Sequence, residues 1–187
     1  MAASLPRHRF SVGEYQQLGT AQIFSTEARV ELVDGEIVEM SPIGPLHVWA
    51  VTLLSDHVGA QARPHGLLSV QNPIRLGEYD EPQPDLTLIR RDATPGAPLT
   101  ARDVLLVIEI ADSSRAYDRE TKLRRYAAAG IPEAWLADLV GKVLERYSEP
   151  RDGLYRQIAL GRPGDTLSST VIPDLAIPVN LALGLPD

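Results

Sequence analysis

The chain has 187 residues, 25 acidic and 18 basic, for a formal charge of -7 and a hydrophobic content of 44%, which suits one globular domain with a sizeable core. The absence of cysteine excludes a disulfide framework, cysteine-ligated zinc, iron–sulfur clusters and thiol catalysis. The acidic balance argues against coating nucleic acid or membrane by bulk charge.

Ser11 and Glu14 have capping-box spacing, which predicts a short helix through about Leu18. Two alternating runs, 29–33 and 36–40, flank Asp34-Gly35, the strongest short signal for a β-hairpin. Symmetric pairing about that turn sets Leu32 opposite Ile37 and Glu31 opposite Val38. Pro45 opens an amphipathic helix on which His47, Val51, Leu54, Val58 and Ala62 recur, and Pro64 with Gly66 ends it. Residues 67–76 read as a strand that Pro73 confines to an edge or bends. Asp85 to Arg90 is a strand, and 104–110 is a continuous apolar run, the signature of a central strand.

A helix follows over 118–129, stopped by Gly130 and Pro132. Strands are expected at 134–139, 143–147 and 155–160, and the proline-bearing tail, 171–185, is irregular or short-stranded. No repeat or linker interrupts the chain, so a single α/β domain over 1–187, with a core of about 10–183, is expected. No run approaches the roughly 20 apolar residues of a membrane span, and no signal peptide is recognisable at the N-terminus. A cytoplasmic protein without membrane contact is the expectation.

Glu109 needs an explanation. It sits inside Val-Leu-Leu-Val-Ile-Glu-Ile, where a lone carboxylate is desolvated and must find a metal, a cation or a proton. An ion pair with an arginine would satisfy it. Asp85 offers a more specific partner. If the two strands form an antiparallel hairpin centred on the Pro95 to Pro98 turn, Asp85 lies opposite Glu109 with Cβ atoms ~4.5–5.5 Å apart. Two carboxylates that close repel unless they share a cation, and hard oxygen donors suit Mg²⁺ or Mn²⁺.

Lys122, one of only two lysines, shares a helical face with Asp118 and Tyr126. It can point at such a site and stabilise charge there, or form a solvated pair with Asp118. Five basic residues lie between Arg115 and Arg125 against two acids. Arg115 and Arg119 are candidates to contact a phosphate backbone, or to form surface pairs.

These residues resemble the PD-(D/E)xK nuclease signature. More closely, the chain resembles the bacterial "putative restriction endonuclease" family of that fold, formerly a domain of unknown function, from about Phe10 to Leu183. The matching pieces are Glu31 to Glu36, Met40-Ser41-Pro42 with His47, Gln83-Pro84-Asp85-Leu86 and Val107 to Ser114. Asp118 with Lys122 and Tyr126, Gly130 to Glu133, and Trp135 to Asp138 complete them. The resemblance implies a restriction-endonuclease-like fold, a central mixed β-sheet flanked by helices with an N-terminal β-hairpin.

It also implies a Mg²⁺- or Mn²⁺-dependent endonuclease acting on DNA as a homodimer. Asp85 and Glu109 are then the metal carboxylates, the Ile110 carbonyl a further ligand, and Lys122 the catalytic lysine, displaced to the helix because Ala111 occupies the usual lysine position. Glu31 completes the site. His47, Gln83, Asp118 and Tyr126 are accessory candidates, although for His47 a satisfied histidine on an apolar helix face is the plainer reading. Two rivals stand beside this one. Ala111 fits a nuclease fold that no longer cuts and serves as a binding module, and a metal hydrolase of small phosphoesters would use the same residues.

Overall fold

The computed structural model describes residues 7–25, 27–112 and 117–186. Helix α1 (Val12–Thr20) starts at a reciprocal cap. The Glu14 N–H donates to Ser11 Oγ at 3.2 Å, and the Ser11 N–H donates to Glu14 Oε2 at 2.8 Å. Strands β1 (Val30–Val33) and β2 (Glu36–Glu39) pair in the register the turn predicts, Leu32 with Ile37 and Glu31 with Val38. Both turn residues take positive φ, 55° at Asp34 and 76° at Gly35. Glycine is required at the second, because a Cβ there would meet the Arg9 Cβ at 2.7 Å.

Helix α2 (Pro45–Gln61) buries Ala50, Leu54 and Val58. A six-stranded sheet follows in the order β3-β4-β5-β6-β7-β8. Its strands are β3 (Gly66–Val70), β4 (Leu86–Arg90), β5 (Val104–Ala111), β6 (Glu133–Asp138), β7 (Val143–Arg151) and β8 (Leu154–Gly161). All neighbours are antiparallel except β5 and β6. Their parallel pairing requires a crossover, and the helical segment between them supplies it. That segment begins with one wide turn, Asp118–Lys122, in which the Leu123 N–H reaches back five residues to the Asp118 carbonyl, and continues as α3 (Leu123–Ala128). Short strands β9 (Thr166–Ser168) and β10 (Ala176–Pro178) pair with each other, and α4 (Val179–Ala182) follows them.

Two apolar layers cover the sheet. Leu106, Ile108 and Ile110 of β5 face α2 and the C-terminal segment. Val107 and Ala111 face the other way, toward Leu123, Tyr126 and Ala127 of α3. The period of two puts Glu109 on this second face, under α3.

Three expectations are corrected in detail. The strand predicted over 67–76 ends at Val70, because Gln71 adopts φ 51° and turns its N–H to the Asp85 carbonyl. The helix predicted over 118–129 is not uniform, since it opens with the wide turn. Strand β7 runs beyond Tyr147 to Arg151, where Asp152 and Gly153, at φ 52° and 71°, make a second hairpin turn. Among the described residues, no helix is long and apolar enough to cross a membrane.

Candidate active site

The ladder between β4 and β5 pairs Leu86 with Ile108, Thr87 with Val107 and Leu88 with Leu106. One step further in that register sets Asp85 against Glu109. A bulge beyond Leu88 takes up the extra residue at the loop end without disturbing the functional end. Asp85 and Glu109 line one cleft of about 300 Å³, together with Glu31 from the hairpin, His47 from α2, and Asp118 and Lys122 from the wide turn.

The carboxylates in this cleft are removed from water. Glu31, Asp85, Glu109 and Asp118 are each less than a tenth exposed, and Lys122 is 4% exposed. Lys122 Nζ lies 3.1 Å from Glu31 Oε2, 3.3 Å from Glu109 Oε1 and 3.9 Å from Asp118 Oδ1. The Glu31 carboxylate also accepts from the Gln83 N–H at 3.0 Å. The Tyr126 phenol donates to Glu109 Oε1.

Asp85 is held from three sides. Its Oδ2 accepts from the Ile110 N–H at 2.9 Å and faces His47 Nε2 at 3.2 Å, and its Oδ1 accepts from Gln71 Nε2 at 3.1 Å. The Gln83 side chain in turn donates to the Gln71 carbonyl. The hairpin that carries Glu31 is tied down separately, because Arg9 and Arg125 both bind Asp34 at 2.6 Å.

The site separates the two metal candidates electrostatically. Burial alone would raise the Asp85 pKa. The His47 hydrogen bond and charge, the Ile110 N–H and Gln71 outweigh it and keep the carboxylate below its usual range. Glu109 goes the other way. Burial pushes it up to about 8, against the pull of Lys122 and with the help of Asp118, Asp85 and Glu31. Burial likewise opposes the charge on Lys122, but Glu109, Glu31 and Asp118 hold its pKa well above the ordinary lysine value. Lys122 is therefore a fixed positive charge and not a proton acceptor near neutral pH. His47 is held above its usual pKa by the hydrogen bond to Asp85, which outweighs burial.

Among the described residues, no three side chains of the His, Asp and Glu type form a ready metal cage. The donor set nevertheless suits a hard divalent ion. Mg²⁺ keeps several waters and needs only one or two protein carboxylates, and Asp85 and Glu109 are the two that would fit that need. The Ala111 carbonyl is turned to the Leu139 N–H, and the Ile110 N–H is turned to Asp85. Alternation along an extended strand puts the Ile110 carbonyl on that same Asp85 edge.

Of the other expected residues, His47 lines the cleft, with its Nδ1 buried and without a partner among the described residues. Gln83, Asp118 and Tyr126 all contact the carboxylate cluster. Arg119 does not come to the cleft. It lies against Glu145 through Nε at 3.2 Å and through Nη2, and Tyr147 donates to the same carboxylate, so its charge is already matched on another part of the α3 face. Arg115 and the Ser113-Ser114 pair lie outside the described residues.

Sequence reasoning does not single out Arg29, Gln71 and Tyr117. Gln71 reaches Asp85, and the other two line the cleft. Arg29 carries a readable signal, since it stands two residues before Glu31 and so on the same strand face. Nothing in the sequence around Tyr117 marks it.

No curated protein matches the chain in sequence. The fold is shared with the crystal structure of a protein from Anabaena variabilis described as a "putative nuclease belonging to DUF820". The two match with a TM-score of 0.77 over 94% of this chain and 98% of that one, at 14% sequence identity, a likeness of fold. The family model Uma2 matches residues 12–180, and the chain belongs to that family, whose description is "Putative restriction endonuclease".

Proposed function

We propose that the protein is a Mg²⁺- or Mn²⁺-dependent endonuclease that hydrolyses phosphodiester bonds of DNA in this cleft. One observation carries the reading: Glu31, Asp85, Glu109 and Asp118 are buried in one cleft, with Lys122 beside three of them and the β4–β5 register, continued one step, setting Asp85 against Glu109. Buried carboxylates are stable only beside a cation or with protons on the acids, and the Asp85–Glu109 pair invites a shared divalent ion. Asp85 and Glu109, with the Ile110 carbonyl, would hold the ion. When bound, it supplies Lewis-acid polarisation of the phosphate and a more acidic water.

The chain's own groups do the rest. His47, Gln71 and the Ile110 N–H fix Asp85 in its ionised form and one orientation. Tyr126 fixes Glu109. Lys122 holds a positive charge beside Glu109, where it opposes the negative charge that grows as water oxygen adds to phosphorus and the bond to the leaving sugar oxygen breaks. Hydrolysis of both strands of a duplex calls for two such sites, and a homodimer would supply them; light scattering in solution tests that part.

The alternative is a fold that no longer cuts. Its specific support is Ala111 in the usual lysine position, together with a lysine already saturated by Glu31, Glu109 and Asp118. Plasmid cleavage separates the two. The nuclease reading expects nicking by the purified protein with Mg²⁺ or Mn²⁺, suppressed by EDTA. It expects a loss of about 10²-fold or more in Asp85→Asn, Glu109→Gln and Lys122→Ala, the scale of losing one preorganised charge. Full activity in all three variants would refute it. Turnover of small phosphoesters without cleavage of any nucleic acid would favour a phosphoesterase instead.

A further inference from the structure

A phosphodiester entering the cleft brings negative charge to a wall already rich in it. Six carboxylates line the cleft: Glu31, Glu39, Asp85, Glu109, Asp112 and Asp118. Among the described residues, the lining holds two permanent cations, Arg29 and Lys122. Lys122 is committed to three of those carboxylates.

Arg29 is not committed in this way. Among the described residues it has no carboxylate within ion-pair distance, and its side chain makes one long hydrogen bond, Nη1 to the Ser41 carbonyl at 3.4 Å. Most of its planar fork of donors is open, and that fork matches phosphate oxygens. Arg29 lines the same cleft as His47 and Asp85.

A second observation is independent of charge. The Tyr117 hydroxyl is buried, lines the same cleft and has no hydrogen-bond partner among the described residues. Its electrostatic neighbours are Glu31, Lys122, Asp118 and Glu109. A buried hydroxyl left without a partner is unfavourable and uncommon. The hydroxyl faces the cleft and is free to donate to a group bound there.

We propose that Arg29 and Tyr117 bind the substrate phosphate, Arg29 pairing its guanidinium with the non-bridging oxygens and Tyr117 donating its O–H to the same group. The proposal rests on reading the cleft as a phosphodiesterase site, but it concerns binding and is tested as binding. Arg29 and Tyr117 would thus supply the kind of phosphate contact that the sequence reading expects of Arg115 and Arg119.

The test uses a thymidine dinucleotide with millimolar Ca²⁺ in place of Mg²⁺, measured by calorimetry, with melting temperatures recorded for every variant. Arg29→Ala is expected to weaken binding about tenfold or more, the effect of losing one charge-assisted hydrogen bond. Arg29→Lys recovers part of it, because a point charge keeps the attraction and loses the fork. Tyr117→Phe is expected to weaken binding about 3–10-fold while melting at or above the wild-type temperature.

Dinucleotide binding within twofold of wild type in both Arg29→Ala and Arg29→Lys overturns the role of Arg29. A Tyr117→Phe protein that melts lower and binds normally makes Tyr117 structural. Wild-type protein that binds no dinucleotide overturns the proposal whole. Plasmid cleavage by wild type and by Asp85→Asn judges the nuclease reading separately, so either can fail without the other.

Discussion

Replacing Lys122 by methionine keeps the aliphatic stem and removes the ammonium that Glu31, Glu109 and Asp118 share at 3.1, 3.3 and 3.9 Å. The lysine is 4% exposed, so water cannot take over its role. Breaking a buried charge pair by removing one partner costs about 3–5 kcal/mol, because the remaining charge stays desolvated. For a domain of this size each kcal/mol moves the melting temperature by roughly 2–4 °C, so Lys122→Met should melt about 6–20 °C below wild type. The assay is thermal or urea unfolding at pH 7 in EDTA, which keeps divalent ions out. Lys122→Met within about 1 °C of wild type would refute the reasoning, since the carboxylates would then not depend on the lysine.

Glu109→Gln should behave in the opposite way. Its folded pKa is raised by burial to about 8 from 4.5, so the wild type carries a proton there at pH 7 at a cost of the order of 3 kcal/mol, which glutamine avoids. Because the folded pKa is raised, the stability tied to Glu109 is complete below about 4.5 and is lost as pH rises to about 8. Unfolding curves across that range should therefore show wild type losing ground to Glu109→Gln, and parallel curves would contradict this. Glu133 is fully buried and accepts from Trp135 Nε1, Ser169 Oγ, and the N–H and Oγ1 of Thr170. Glu133→Ala should cost about 3 kcal/mol or more in urea unfolding, at roughly 1–3 kcal/mol per stranded donor, while leaving divalent-ion binding intact. Ser11→Ala removes a reciprocal helix cap and should cost about 1 kcal/mol by the same assay.

The parts of the fold that were legible rest on short-range rules. Asp34-Gly35 sets the hairpin register because both positions need positive φ, and the apolar run 104–110 marks a strand buried on both faces. The Asp85–Glu109 pairing is legible for a related reason: centring the loop on its turn-rich middle gives the register that β4 and β5 hold from Leu86 to Leu88, although a bulge shifts it by one residue nearer the loop. Lys122 is readable from helical spacing, and its place one turn into the crossover survives the widened turn.

What stays hidden depends on long-range contacts. Arg29, Gln71 and Tyr117 reach the cleft only after hairpin, edge strand and crossover are packed together. Arg119 looks as free as any arginine in its basic stretch until β7 brings Glu145 beneath it. The end of β3 at Val70 is set by Gln71 turning to the Asp85 carbonyl, a tertiary contact that the neighbouring Pro73 only suggests. Asp152-Gly153 is the exception, a local signal of the same kind as Asp34-Gly35 that the sequence reading passes over, and it marks where β7 turns into β8.

The charge of -7 has a different meaning with the cleft in view. Part of it is concentrated in buried carboxylates around the cleft, where a divalent cation would be a fitting partner and the acidity no barrier to phosphate. Diffraction from crystals soaked in Mn²⁺ tests this most directly. The metal-site reading requires an anomalous peak between Asp85 and Glu109, with carboxylate oxygens at about 2.1–2.2 Å and Lys122 beside it. Full-occupancy Mn²⁺ elsewhere on the protein, with Asp85 and Glu109 still bound to His47, Gln71, the Ile110 N–H, Tyr126 and Lys122 and to no metal, would contradict it.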